Sequence, residues 1–149
     1  MPEKDRRNLH AGGCHCGNLR LQLRTGLRPA DFEIRACQCS FCRKHATLAI
    51  ADPYGEVELR VEDPKQLSRY CFGQRTIDFL LCRICGVYVG AVTRDGSLRA
   101  LVIVNALDSR QAFAGNTPLK VDYDPETRED RIERRRTLWT PFSLILEKA

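Results

Sequence analysis

The stretch GGCHCGNLRLQLRT, residues 12–25, sets two signals side by side. Its second half, Leu19–Thr25, alternates apolar and polar residues, the period of a strand with one buried face. Its first half places Cys14 and Cys16 one residue apart, with Gly17 directly after them. Residues two apart on an extended chain face the same side, so a modest bend converges both sulfurs on one metal ion. The stretch therefore predicts a half-buried strand whose start is pinned by metal.

The same two signals recur along the chain. EVELRV alternates after the turn DPYG. RYCF and TIDFLL flank Gly73 as a hairpin, and VYVGAVT and SLRALVIVNAL flank Arg94-Asp95-Gly96. Asp-Gly between apolar runs is a strong hairpin cue. FEIRA leads into a central cysteine cluster, and TLAIA follows it as a short apolar run. The expected fold is mostly β, in antiparallel sheets. Helix is scarce. A turn is expected from Lys44 to Ala49, and a single helical turn over 108–113 with Asp108 as its cap. Residues 125–136 contain helix formers, and Pro125 suits a first turn. Their apolar periodicity is weak, so helix and mobile surface stay equally open there. The tail LWTPFSLIL is apolar enough to pack on the body.

At 149 residues the chain suits one domain with a single core. Apolar residues make up 43% and charged residues 29%, an ordinary globular balance. No apolar run reaches the length of a membrane-spanning helix, and MPEKDRRNLH lacks the apolar stretch of a signal peptide. The expected setting is the cytoplasm, with no membrane partner. The formal net charge of +5 is compatible with an anionic ligand. Basic residues are interleaved with acidic ones, as in DPETREDRIERRR, and this mixed pattern argues against nucleic acid.

Eight cysteines in so short a chain are a signal of their own. A reducing compartment favours metal over disulfides, and linking the members of a C-x-C pair would strain the bond. Cys82 and Cys85 form a C-x-x-C pair followed by Gly86. With Cys14 and Cys16 they complete four sulfurs, the set that closes a structural zinc site. Such a site staples the start of the chain to its middle and supplements a modest core.

The central stretch CQCSFC offers three more sulfurs, Cys37, Cys39 and Cys42. A structural zinc is closed by four protein ligands, whereas a catalytic zinc keeps one position open. The expected fourth ligand is water or a substrate atom, with Cys71, His45 and Asp52 as rivals from the chain itself. His15, between two ligands, is expected to point away. Three thiolates weaken zinc as a Lewis acid and suit it to an incoming thiol better than to water. Cys37, Cys39 and Cys42 are accordingly the candidate catalytic residues, for thiol chemistry before hydrolysis. Solvated surface is the default reading for Arg35, Arg43, Lys44 and Arg75. Of these, Arg43, Lys44 and Arg75 are the candidates for holding carboxylates of an acidic thiol.

The motifs GGCHCGNLRL, CQCSFCRK and CRICG, with VIVNALD as a late strand, resemble the glutathione-dependent formaldehyde-activating enzyme family, which includes centromere protein V. The resemblance spans roughly residues 12–107. It implies antiparallel sheets pinned by zinc, often called a β-tent, in a single domain over 1–149 with residues 108–149 as a C-terminal extension. It implies two zinc ions, a structural one on Cys14, Cys16, Cys82 and Cys85 and a second on Cys37, Cys39 and Cys42. The implied activity joins formaldehyde to the thiol of glutathione to give S-hydroxymethylglutathione, formally a carbon–sulfur lyase run in reverse. The alternative is a zinc-stabilised binding module without catalysis, which centromere protein V makes realistic. Where the family approaches its last cysteine pair through Arg-x-Phe-Cys, this chain reads Asp78-Phe79-Leu80-Leu81-Cys82.

Overall fold

The computed structural model describes residues 6–147. In chain order the elements are β1 (Asn8–Gly13), β2 (Leu19–Thr25), β3 (Arg35–Cys37), α1 (Ser40–Lys44), β4 (Ala49–Ile50), β5 (Glu56–Val61), β6 (Leu67–Tyr70), β7 (Ile77–Cys82), β8 (Tyr88–Thr93), β9 (Arg99–Ile103), β10 (Leu119–Val121), α2 (Arg128–Leu138) and β11 (Thr140–Leu146). The fold is mostly β, as the alternation predicts. The strands run in the order β1-β2-β5-β11-β9-β4-β3-β10, and β9 also carries the series β8, β7, β6.

Alternation explains the core. Leu19, Leu21 and Leu23 of β2 stand opposite Val61, Leu59 and Val57 of β5, and all six are buried. The polar residues between them face out. Each such side chain contributes about 1.5–3 kcal/mol on leaving water. Both expected hairpins form. β6 pairs antiparallel with β7, and β8 pairs antiparallel with β9. The β7–β8 register shifts between Leu80 and Leu81, just before Cys82. A bulge there re-aims the next side chains.

Three local expectations are corrected. The helix near the central cysteines starts at Ser40, before Lys44, because the Cys39 sulfur caps it by accepting from the Cys42 amide. The turn after β9 spans Arg110–Phe113, and Asp108 does not cap it; the Asp108 amide donates instead to the Ala11 carbonyl, tying β1 down. The charged segment is helical, but it begins at Arg128 behind the cap Thr127, whose side chain accepts from the Asp130 amide. Glu129 and Asp130 in its first turn and Arg135 and Arg136 in its last complement the helix dipole.

The tail does more than pack on the body. β11 enters the sheet between β5 and β9, parallel to the first and antiparallel to the second. The buried Thr140 hydroxyl accepts from the Asp52 amide at 2.8 Å. The Asp52 carboxylate in turn accepts from Thr25 at 2.6 Å and from the Tyr54 amide at 2.9 Å. One buried carboxylate thus joins β2, the turn before β5, and β11.

β1 crosses close beneath the turn Val104–Ala106. A Cβ on Gly12 would lie 2.3 Å from the Ala106 carbonyl oxygen and 2.7 Å from Leu107 Cα. Both obstacles are backbone and cannot swing aside. Gly12→Ala is expected to cost roughly 3 kcal/mol. Thermal unfolding measures it, and an unchanged midpoint contradicts the close approach.

Candidate metal centres and an arginine-lined cavity

Cys14 and Cys16 lie in the turn between β1 and β2, Cys82 ends β7, and Cys85 follows in the next turn. Their four sulfurs all lie within 4.8 Å of one another. Cys14 Sγ is 3.7 Å from Cys16 Sγ, which is 3.5 Å from Cys82 Sγ. Tetrahedral zinc with sulfur at about 2.3 Å sets its ligands roughly 3.8 Å apart, so the donor set fits that ion. Gly17 and Gly86 adopt left-handed φ values of 88° and 80° and turn the chain behind each pair. The Gly86 amide donates to the Cys82 carbonyl at 2.8 Å, and the Leu19 amide donates to Cys14 Sγ at 3.2 Å. Burial pushes the Cys82 thiol up to about 12 and raises Cys14. Burial acts the same way on Cys85, but backbone amides of Val87 and Cys16 prevail and hold it down at about 6. His15 is exposed and stands outside the cluster.

Cys37 ends β3, Cys39 caps α1, and Cys42 lies inside that helix on its buried face. These three sulfurs also lie within 4.8 Å of one another. The Val121 carbonyl of β10 accepts from the Gln38 amide at 2.9 Å, and the Cys42 carbonyl accepts from the Thr47 amide at 3.0 Å, so both ends of the loop are braced. Hydrogen bonds from Cys37 and Cys42 hold Cys39 well below the usual thiol range, while the same neighbours and burial push Cys42 up. An all-sulfur set of three again suits a soft cation.

None of the three rivals joins this cluster. Asp52 is held by Thr25 and Tyr54. Cys71, just beyond β6, accepts from Arg94 Nη1 at 2.8 Å. The His45 ring lies on Phe41, with centroids 4.4 Å apart, and meets Tyr88 edge-on at 5.5 Å.

The trio forms part of the wall of a cavity of about 400 Å³. Phe72, Phe79, Tyr88, Leu101 and Trp139 supply its apolar lining. Tyr88 is 5% exposed, and its hydroxyl has no hydrogen-bond partner among the described residues. Burial, and then the charge of the three cysteines, push that hydroxyl well above the usual tyrosine range, so it stays protonated. Arg35 and Arg75 line the cavity, as do Arg131, Arg134 and Arg135 of α2. Arg75 sits at a left-handed φ of 57°, a conformation that costs a non-glycine residue about 1 kcal/mol or more.

The model of the family described as glutathione-dependent formaldehyde-activating enzyme matches residues 9–121, well over half of the chain. The chain belongs to this family. A crystal structure of a protein from Rhodobacter sphaeroides is similar to it, at 29% identity and a TM-score of 0.55, covering 74% of this chain and 99% of that one.

All seven clustered cysteines of this family member fall inside the matched region. Of the proposed substrate-binding residues, Arg75 reaches the cavity, whereas Arg43 and Lys44 do not line it. Successive helical residues are rotated by about 100°, so turning Cys42 inward sends Arg43 and Lys44 out, where both are exposed. Asp78 forms ion pairs with Arg69 at 3.7 Å and Arg94 at 3.8 Å. The sequence reading missed Tyr88, Trp139 and the arginines of α2. The signal for α2 was Trp139 at the end of a charged run, an aromatic that needs a core to enter.

Proposed function

We propose that the chain is a zinc-dependent carbon–sulfur lyase-type enzyme that adds a small thiol, glutathione or a relative of it, to an aldehyde such as formaldehyde. The observation that carries this reading is a three-sulfur cluster in the wall of a partly open, largely apolar cavity. In the addition a sulfur–carbon bond forms, the carbonyl π bond becomes a carbon–oxygen single bond, and the thiol proton ends on that oxygen. Cys37, Cys39 and Cys42 would hold the zinc ion, which would supply a soft Lewis acid suited to a thiol. The aromatic lining gives the aldehyde an apolar wall beside the sulfurs. The Tyr88 hydroxyl, protonated and unpartnered, donates a hydrogen bond to the aldehyde oxygen as charge develops there. The chemistry needs reduced thiols, which suits the cytoplasm. No helix among the described residues is long and apolar enough to cross a membrane. A purely structural module would want the trio closed by Cys71, His45 or Asp52, and each of these is engaged elsewhere.

The test is to mix zinc-loaded protein with glutathione and formaldehyde and time S-hydroxymethylglutathione by NMR. Formation faster than in buffer is expected, and a rate equal to buffer rejects this substrate pair. Tyr88→Phe removes one oxygen from a buried ring. It is expected to lower kcat about 100-fold with zinc content unchanged; wild-type turnover in that variant would remove Tyr88 from the mechanism.

A further inference from the structure

Arg135 is left unused by the reaction above, and its surroundings are unusual for a cation. It is 6% exposed, yet no carboxylate among the described residues pairs with it. One Nη donates to the Thr76 hydroxyl, the guanidinium lies 5.2 Å from the centre of the Trp139 ring, and Nε is buried without a partner among the described residues. Burial first, then the charges of Arg134 and Arg131, pull its pKa down to about 10. Glu126 opposes that shift but is already clasped by Arg134 through bonds of 3.0 and 3.2 Å. Arg131 donates to the Tyr123 carbonyl at 2.7 Å, and its Nε too is buried and has no partner among the described residues. Both arginines line the cavity that holds the cysteine trio. Of that lining, Asp124 is the one carboxylate against five arginines.

A buried guanidinium with open donors and no counter-charge is costly unless something else completes it. We propose that Arg131 and Arg135 form a subsite for a compact oxyanion, a carboxylate or a phosphate group, carried by the molecule that occupies this cavity. The planar guanidinium fork matches such groups with paired hydrogen bonds. The Thr76 contact and the Trp139 ring hold the Arg135 fork in place, so little freedom is lost on binding. The subsite is built by α2, beyond the family match at residues 9–121. It is thus a selectivity element that this chain adds to the matched region. That the anion belongs to a thiol substrate rests on the proposed function; that an oxyanion binds here does not. The preferred thiol then carries its acidic group on an apolar spacer, since aromatic side chains share the wall with the sulfurs and the guanidinium groups.

Calorimetric titration of the zinc-loaded full chain tests this without turnover. Inorganic phosphate and acetate are the two probes, at ionic strength held constant with potassium chloride. Saturable binding of at least one probe is expected, and the tighter of the two identifies the oxyanion class. Arg135→Gln and Arg131→Gln are each expected to weaken it at least 10-fold. Arg128→Gln, on the exposed first turn of the same helix, should bind as wild type does. Arg131 is only partly buried, so its variant carries the test if Arg135→Gln fails to fold. No binding above the chloride control, or undiminished binding in the folded arginine variants, overturns the proposal. Turnover of 3-mercaptopropionate against 2-mercaptoethanol, with formaldehyde, then reads selectivity. A higher kcat/KM for the acid, lost in Arg131→Gln, is expected. If neither thiol reacts but phosphate still binds through Arg131 and Arg135, the reaction fails and the subsite stands.

Discussion

Cys82→Ser is expected to leave the protein largely unfolded. Cys82 is 2% exposed, ends β7, and its sulfur lies 3.5 Å from that of Cys16, so it sits where the start of the chain meets the middle. Structural zinc contributes about 10–16 kcal/mol of apparent binding energy at neutral pH. A typical domain has only about 5–15 kcal/mol of net stability. Losing one of four ligands removes enough of the first to exhaust the second. Serine keeps the volume but offers a hard oxygen where a soft thiolate stood. Circular dichroism on heating, with zinc measured on the same sample, should show most of the sheet signal and the cooperative thermal transition lost, and one zinc fewer per chain. Chelation of the wild type should reproduce the loss. An unchanged midpoint in either experiment would mean that the sheets stand without the four-sulfur centre.

The second large effect is on activity, with the fold preserved. Cys37 ends a three-residue strand that pairs with β10 through backbone bonds, and serine leaves those bonds in place. Cys37→Ser takes one sulfur from the trio and should cost several kcal/mol of transition-state stabilisation, about 10³-fold or more in kcat/KM. Its unfolding midpoint should stay far closer to wild type than that of Cys82→Ser. Cys71→Ser is the matched control, since Cys71 lies outside both clusters and contacts Arg94. It should keep both activity and zinc. Near-normal activity in Cys37→Ser, or unfolding as severe as in Cys82→Ser, would assign the trio to structure instead.

The two sulfur clusters were legible in the chain because ligand spacing is local. C-x-C and C-x-x-C fix where sulfurs converge whatever the rest of the chain does, and Gly17 and Gly86 announce the reversals. Alternation over Leu19–Thr25 and Glu56–Val61 likewise needs only neighbouring residues to be read. The α2 arginines were not legible. A helix carrying RIERRR looks the same in sequence whether its basic face meets water or roofs a cavity, and only the tertiary position of Trp139 decides. Arg43 and Lys44, though next to Cys42 in sequence, are rotated by about 100° and 200° from it on the helix and are exposed outside the cavity lining. The insertion of β11 between β5 and β9 pairs residues some eighty positions apart, which no local pattern specifies. Asp52 seemed free to reach a metal because its partners, Thr25 and Thr140, lie far away in the chain.

X-ray absorption at the zinc edge, with metal stoichiometry on the same sample, tests the central claim most directly. Two zinc ions per chain are predicted, one ringed by four sulfurs and one by three sulfurs and a lighter atom. A single zinc, a fourth sulfur on both ions, or central cysteines oxidised into disulfides would contradict it.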